Sequence, residues 1–181
     1  MKHKTLRMML LSALFGALTA IGAFISLPAG PTSITLQFLF SALAGILLGV
    51  KWGTVSQLLY VGLGLLGLPV FTMGGGISYL LQPSFGFLLG LIPSTAVIAG
   101  LTRRSAGRVR LFFSCLLGDL VLYLFGVPYM YLISHAYGGS SATWLAMWAS
   151  MLVFVPGDLL KLAVLTAVGP VLRRRLAGFV E

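Results

Sequence analysis

The sequence predicts an all-α integral membrane protein with six transmembrane helices and both termini in the cytoplasm. Of its 181 residues, 59% are hydrophobic and 8% are charged, whereas a soluble domain carries about 25% charged residues. The mean hydropathy is +1.05, and six apolar runs approach the length of about 20 residues that crosses a bilayer. Because these runs fill the chain, we expect one transmembrane domain over residues 1–181.

The first span is predicted from Leu6 to Leu27. Its start imitates a secretory signal, with Lys2, Lys4 and Arg7 ahead of an apolar stretch. The apolar run is longer than the core of a signal peptide, which has about 7–15 residues, so we expect it to be retained as a span. It ends where residues that break helices accumulate: Pro28, Gly30 and Pro31.

The other five spans are predicted at about 34–50, 54–68, 84–101, 111–134 and 144–172. Lys51-Trp52-Gly53 is expected to form the tight connection between the second and third spans. Three loops then lie on the other side of the membrane, at 28–33, 69–83 and 135–143. The many glycines are typical of closely packed membrane helices.

The basic residues set the predicted orientation. Eleven of the twelve Lys and Arg residues lie at the two termini, at Lys51 or between the fourth and fifth spans. Connections rich in Lys and Arg face the cytoplasm, which places both termini there and requires an even number of spans. The net charge of +9 therefore reflects topology, and we do not expect a nucleic-acid partner.

The twelfth basic residue, Lys161, lies inside the sixth span together with Asp158. On insertion scales each charge costs roughly 2.5–3.5 kcal/mol at the centre of a membrane helix. Residues three apart share one face of a helix, so the two side chains can pair. We interpret the pair first as the polar floor of a binding site. The alternative is a structural ion pair that fixes the register of the helices.

No sequence motif indicates catalysis or a cofactor. Gly74-Gly75-Gly76 has no following Lys-Ser/Thr, so it is not a phosphate-binding loop, and we expect no ATP hydrolysis. The single cysteine, Cys115, excludes an internal disulfide and is expected to serve packing. We expect neither a metal site nor an enzyme. An intramembrane enzyme would more usually show a carboxylate pair, for which Asp119 and Asp158 are the candidates, or Ser and His in facing helices. Whether Asp119 is structural or functional stays open.

The loop after the third span is the longest outer loop. It contains Phe71, Met73 and Tyr79 around three consecutive glycines. Such a segment can fold over a ligand that enters the bundle, although a plain connector is the alternative. Several aromatic residues near the outer side are interface anchors or walls of a pocket: Phe71, Tyr79, Phe85, Tyr123, Tyr129, Tyr131 and Trp144.

Five short motifs, in order along nearly the whole chain, resemble the BioY family of biotin-binding substrate-specificity (S) components of energy-coupling factor (ECF) transporters. They are Pro31-x-x-x-Thr35-x-Gln37, Leu47-Leu48-Gly49, Gly67-Leu68-Pro69-Val70-Phe71, Gly126-Val127-Pro128-Tyr129 and Pro156-Gly157-Asp158-x-x-Lys161. The resemblance implies the six-helix S-component fold in the cell membrane. It also implies biotin captured from outside, with a transmembrane coupling protein and two ATP-binding-cassette ATPases as partners.

The resemblance and the residue chemistry together predict the functional positions. Biotin is the transported ligand, and no cofactor is expected. The predicted biotin-binding residues are Gln37, Tyr79, Phe85, Asp158 and Lys161. The polar members suit a ureido ring, which needs acceptors for two N–H groups and a donor for its carbonyl, and the aromatic members suit the apolar parts of the ligand. The predicted lid comprises Phe71, Gly74, Gly75 and Gly76. The predicted docking motif for the coupling protein is Ala13-Leu14-Phe15-Gly16-Ala17, whose small residues Ala13 and Ala17 let another helix approach.

Two other functions remain open at this point. One is an S component for another vitamin, riboflavin or thiamin, against which the pair Asp158–Lys161 with Gln37 argues. The other is a small secondary transporter or channel, against which the short chain without an internal repeat argues.

Overall fold

The computed structural model describes residues 2–29, 32–103 and 107–180, so Gly30, Pro31 and Arg104 lie outside the described ranges. The described residues form six α-helices and one antiparallel pair of strands. In chain order these are α1 (Lys2–Phe24), β1 (Ser26–Ala29), β2 (Thr32–Thr35), α2 (Gln37–Leu65), α3 (Phe85–Thr102), α4 (Arg108–Ala136), α5 (Trp144–Ser150) and α6 (Val155–Val180). All except α5 are long and apolar enough to cross a membrane.

Helix α2 is a helical hairpin, which accounts for two of the predicted spans. Its backbone is non-helical at Gly49, with φ 76° and ψ −176°. The chain reverses there, as the close packing of residues on its two sides shows: a Cβ built on Gly53 would lie only 3.0 Å from the carbonyl oxygen of Ala44. We call residues 37–48 the first arm and residues 50–65 the second arm. With both arms counted, six helical segments run along the bundle, which confirms the predicted six-helix architecture.

The predicted position of this turn is wrong by a few residues. Lys51-Trp52-Gly53 was expected to connect the second and third spans, but these residues already lie in the second arm. The reversal needs a positive φ, which glycine adopts without steric cost. Gly49 therefore makes the turn, and Lys51 and Trp52 continue the helix.

The first and sixth predicted spans also need correction. α1 ends at Phe24, and Leu27 lies in β1, where it pairs with Ile34 of β2. The predicted sixth span is two helices, because a 3₁₀ turn at Met151–Val153 separates α5 from α6. Pro156 is the second residue of α6, in the first turn, where the N–H that proline lacks would have no partner within the helix.

The core joins the segments along the bundle axis. A central cluster that includes Phe38, Ile98 and Leu165 connects the first arm of α2 with α3, α4 and α6. Cys115 is fully buried in the same cluster, as its predicted packing role requires. A second cluster, around Tyr60 and Phe71, lies at the end of the bundle where the glycine-rich loop folds back.

The two ends of the bundle differ in charge. At one end, Lys51, Arg103 and Arg173 line a common cleft beside the Gly49 turn. The β1–β2 hairpin and the glycine-rich loop lie at the other end, where the described residues contribute no Lys or Arg side chain apart from Lys161. The basic end and the loop end are thus separated by the length of the helices.

Candidate ligand-binding site

A cavity of about 560 Å³ opens at the loop end of the bundle. The β1–β2 hairpin, the starts of α2, α3 and α6, the glycine-rich loop and the middle of α4 surround it. Its volume lies within the range of about 300–1,000 Å³ that is typical of small-molecule sites. Its walls are mainly apolar, and its polar groups lie at the floor, at the hairpin, at the start of α2 and along the segment from Thr72 to Ser84.

The floor is formed by Asp158 and Lys161, both more than nine-tenths buried. The Lys161 Nζ lies 2.6 Å from Asp158 Oδ1. The hydroxyl of Tyr123 on α4 donates a hydrogen bond to the other carboxylate oxygen, Asp158 Oδ2. Two helices therefore fix the orientation of this carboxylate, and both of its oxygens have a lone pair left for a further donor.

The break before α6 explains why the charged pair lies here. Asp158 is in the first turn of α6, and its backbone N–H bonds the carbonyl of Phe154 at 2.9 Å. A carboxylate near a helix N-terminus is stabilised by the helix dipole. Lys161 follows one turn later on the same face. Gly157 leaves room for Ile34 of β2, since a Cβ at this position would lie 3.2 Å from the Ile34 Cγ2.

Gln37 lies on another wall of the cavity, at the start of α2. Its Nε2 donates to the Tyr60 hydroxyl at 2.6 Å, and its Oε1 accepts from the Thr35 hydroxyl at 2.9 Å. Tyr60 in turn donates to the carbonyl of Val70 at 3.1 Å. This chain of hydrogen bonds fixes Gln37 and leaves one N–H and one lone pair of its amide for a ligand.

The predicted aromatic residues differ in their access to the cavity. Tyr79 lines it and is otherwise buried. Phe85 does not line it, because its ring is buried between Tyr79 and Tyr129, with centroid distances of 6.4 Å and 5.7 Å. The structure therefore brings Gln37, Tyr79, Asp158 and Lys161 together around one cavity and places Phe85 behind its wall.

The residues predicted as a lid form the base of the loop. Phe71 is fully buried, and we call it the loop anchor: its ring occupies the space beside Gly64, where a Cβ would lie 2.1 Å from the ring. Gly74 pairs with Phe71 through two backbone hydrogen bonds, Gly75 lies against the Leu68 carbonyl, and Gly76 bonds Gly64. Between Phe71 and Gly76, the residues that reach the cavity are Thr72 and Met73.

Two contributors to the site were not singled out from the sequence. Tyr123 was one of several aromatic residues predicted as interface anchors or pocket walls, and it was not chosen for the site although it lies one helical turn after Asp119, the intramembrane acid of the same helix. The β1–β2 hairpin supplies Ser26, Thr32 and Ser33 to the cavity. Its signal in the sequence was Thr32-Ser33-Ile34-Thr35, a short run rich in β-branched residues.

Asp119 does not line the cavity. It is buried in α4, and its Oδ1 has no hydrogen-bond partner among the described residues. Asp158, its conceivable partner in a carboxylate pair, is already bonded to Lys161 and Tyr123. The described contacts therefore tie Asp158 to a cation and a phenol, and they leave Asp119 apart from the floor.

A larger groove of about 740 Å³ lies between α3 and α4. Its lining is apolar apart from the edges of Tyr123 and Trp148, and it includes the exposed Leu117, Leu120 and Leu124. Such a surface suits lipid chains. It lacks the converging polar groups that distinguish a site for a polar ligand.

The sequence profile of the BioY family matches residues 1–178. The chain belongs to the BioY family. A protein of Lysinibacillus sphaericus described as a probable biotin transporter BioY is 40% identical over 146 residues, which cover 80% of this chain and 74% of the relative. The biotin transporter BioY of Rhizobium etli is 32% identical over 176 residues, covering 90% of this chain and 91% of the relative.

A solved structure agrees with this fold. The crystal structure at 2.1 Å of the S-component for biotin from an ECF-type ABC transporter superposes with a TM-score of 0.75 at 29% identity, covering 96% of this chain and 94% of that one. These comparisons confirm the family resemblance and the S-component architecture. The residues assigned to ligand binding stay a prediction of the sequence and the cavity geometry.

Proposed function

We propose that this chain is the biotin-capturing S component of an ECF transporter. The observation that carries the proposal is the Asp158–Lys161 pair at the floor of the cavity. The ureido ring of biotin has two N–H donors and one carbonyl acceptor. Asp158 accepts from a ring N–H, Lys161 donates to the ring carbonyl, and Gln37 supplies either group. Buried polar groups of this kind strongly reject analogues that lack a partner group.

The remaining walls fit the rest of the ligand. The apolar side chains of Phe38 and Leu91 face the cavity and suit the thiophane ring and the valerate chain. The one cation of the described lining, Lys161, is paired with Asp158 at the floor. The ligand carboxylate is therefore assigned to the hairpin, which supplies hydroxyl donors from Ser26, Thr32 and Ser33.

Direct titration of the purified chain with biotin tests this proposal. Biotin has about 16 non-hydrogen atoms, and ~0.6–0.8 kcal/mol per atom gives roughly 10–13 kcal/mol. This corresponds to a dissociation constant of order nanomolar. We expect isothermal titration calorimetry to show tight binding without nucleotide or any partner protein, and no binding of riboflavin or thiamin. Heat with either of these vitamins and none with biotin would assign the chain to another vitamin.

We propose further that the basic end faces the cytoplasm and the cavity faces outside. The basis is the positive-inside rule applied to Lys51, Arg103 and Arg173 at one end of the bundle. Because the native Cys115 is buried, single cysteines can be introduced at Gly139 and Arg175. An impermeant maleimide should label Gly139→Cys in intact cells and label Arg175→Cys only after lysis. The reverse pattern would invert the topology.

Transport then depends on partners, because the sequence offers no ATP-binding motif. We propose that a transmembrane coupling protein docks on α1 at Ala13 and Ala17, and that two ABC-type ATPases supply the energy. In support, both alanines are exposed on the bundle surface. Gly16 is buried instead, and a Cβ at this position would lie 3.1 Å from the Ser56 carbonyl oxygen. The docking face is thus separate from the internal packing face of α1. No chemical step on biotin is proposed.

Bulky substitutions test the docking face. Ala13→Trp with Ala17→Trp should leave biotin affinity within a few-fold of wild type and abolish copurification with the coupling protein, because a bulky side chain forfeits the contacts between closely packed helices. The matched control is Leu120→Trp with Leu124→Trp, at exposed positions of α4. Loss of the partner in both variants, or in neither, would remove the docking assignment from α1.

A further inference from the structure

A second cleft, of about 450 Å³, lies at the basic end of the bundle. It is formed between the Gly49 turn of α2, the end of α3 and the last third of α6. Its position is opposite the ligand cavity, so the proposed capture of biotin does not use it. Three cationic side chains from three different segments line it: Lys51, Arg103 and Arg173.

The structure fixes one of these cations in place. The Arg173 guanidinium donates from Nη1 to the carbonyl of Thr102 and from Nη2 to the carbonyl of Arg103, the latter at 3.0 Å. These carbonyls end α3, where a cation interacts favourably with the helix dipole. These two hydrogen bonds use two of the five N–H donors of the guanidinium group. The remaining donors are available to an acceptor in the cleft.

The positive charge of the cleft is not compensated by the described part of the chain. The acidic residues within the described ranges are Asp119 and Asp158, and neither lines the cleft. Asp158 is paired with Lys161 at the floor of the other cavity. The positive-inside rule explains why cations lie on this side. It does not require three of them to converge on one cavity.

The surroundings indicate what kind of anion fits. The cleft also has apolar walls, from Leu47, Leu48 and Leu176. Lys51 lies over the ring of Trp52, 5.3 Å from its centroid, and tryptophan is enriched at membrane interfaces. A ligand here needs an anionic group for the cations and an apolar part for the leucines, at the depth where lipid headgroups lie.

We propose that this cleft binds the phosphate of an anionic phospholipid, with the acyl chains against its leucine wall. Basic pockets between membrane helices on the cytoplasmic side are suited to such headgroups. The bound lipid would bridge the Gly49 turn, α3 and α6. The proposal concerns a site apart from the biotin cavity and does not depend on biotin being the transported ligand.

Native mass spectrometry of the detergent-purified chain, titrated with phosphatidylglycerol or phosphatidylcholine, tests the proposal. We expect one phosphatidylglycerol to bind preferentially. Each cation near an anionic lipid contributes about fivefold, so Lys51→Gln with Arg103→Gln should weaken this binding roughly 25-fold. The matched control, Arg174→Gln with Arg175→Gln, removes the same charge from exposed residues of α6 outside the cleft and should change it at most a few-fold.

Several outcomes would overturn the proposal. Equal weakening in the two variants would show attraction to net charge alone, and equal binding of phosphatidylcholine would show that the headgroup charge is not recognised. Displacement of the lipid by inorganic phosphate at matched concentration would identify a free phosphate site. Unchanged lipid binding, with loss of the copurified coupling protein in the Lys51→Gln, Arg103→Gln variant, would assign the cleft to a protein partner.

Discussion

Replacing Asp158 by Asn tests whether the charged pair recognises the ligand or only holds the helices in register. The substitution keeps the shape of the side chain but removes its charge. Asn can still accept from Tyr123, so the geometry of the floor is preserved. Lys161 then loses its anionic partner. The amide oxygen of Asn is also a weaker acceptor for a ureido N–H than the carboxylate of Asp158.

The expected magnitude follows from the burial of the pair. Both side chains are more than nine-tenths buried, and no other carboxylate of the described residues forms an ion pair with Lys161. Breaking a buried pair by removing one partner costs about 3–5 kcal/mol, shared here between the stability of the fold and ligand binding. We expect biotin affinity to fall at least about a hundredfold and the thermal unfolding temperature to fall as well.

A double variant separates the two effects. Asp158→Asn with Lys161→Met removes the stranded cation and replaces it by an apolar side chain of similar volume. The large cost of breaking a buried pair comes from the charge that is left without a partner, and this variant leaves no such charge, so the unfolding temperature should recover. Binding should not recover, because the cationic donor to the ureido carbonyl and the charged acceptor for its N–H are both gone.

The assays are radiolabelled biotin binding and thermal unfolding, measured on the same detergent preparation. Wild-type affinity in the Asp158→Asn variant would refute the recognition role and make Asp158 structural. Recovery of binding together with stability in the double variant would show that the pair acts only as a register lock. Lys161→Ala, measured alongside, should lose affinity to a similar extent.

Three further variants probe the parts that position the site. Tyr123→Phe removes the hydrogen bond to the floor carboxylate and should weaken biotin binding about tenfold with little change in unfolding temperature; unchanged affinity would make the phenol dispensable. Gly64→Ala places a methyl against the ring of the loop anchor and should speed biotin dissociation at least about tenfold. In the control, Gly62→Ala, the added methyl meets nothing within 4 Å, so the dissociation rate should not change. Equal dissociation rates in the two variants would contradict the anchor role. Gly49→Ala puts a side chain on a backbone conformation that is essentially restricted to glycine, far from the cavity, and should lower stability by about 1–3 kcal/mol without changing affinity; an unchanged unfolding temperature would contradict this.

The sequence was sufficient for the number of helical segments and for the candidate floor of the site. Hydropathy acts on whole segments, so the apolar runs predict six helical segments along the bundle correctly. Asp158 and Lys161 stand out because buried charge is rare in a membrane span. Their spacing of three residues predicts the pairing seen in the structure.

The details that hydropathy missed depend on backbone conformation. The reversal at Gly49 rests on the positive φ angle of one residue out of 23 glycines, and the apolar pattern does not distinguish this glycine from its neighbours. Because hydropathy is averaged over a whole segment, it merged α5 and α6 into one predicted span. It also assigned Leu27 to α1, although the strand pairing with Ile34 ends that helix earlier.

Phe85 shows a different limit. Its position near the predicted outer side and its aromatic ring made it a candidate for the cavity wall. Which face of α3 points to the cavity depends on packing between helices, and the ring lies instead between Tyr79 and Tyr129. Tyr123 was in the same aromatic group, and the bond to Asp158 sets it apart only once α4 and α6 are placed together.

The break before α6 connects the missed backbone detail with the floor of the site. If residues 144–172 formed one continuous helix, Asp158 would lie in its interior, without a nearby helix N-terminus. Because the helix begins anew at Val155, Asp158 lies in a first turn, where the dipole favours its negative charge. Gly157 lets the β1–β2 hairpin close over this turn through Ile34. The motif Pro156-Gly157-Asp158-x-x-Lys161 therefore encodes a helix start, a close contact with the hairpin and a charged pair together.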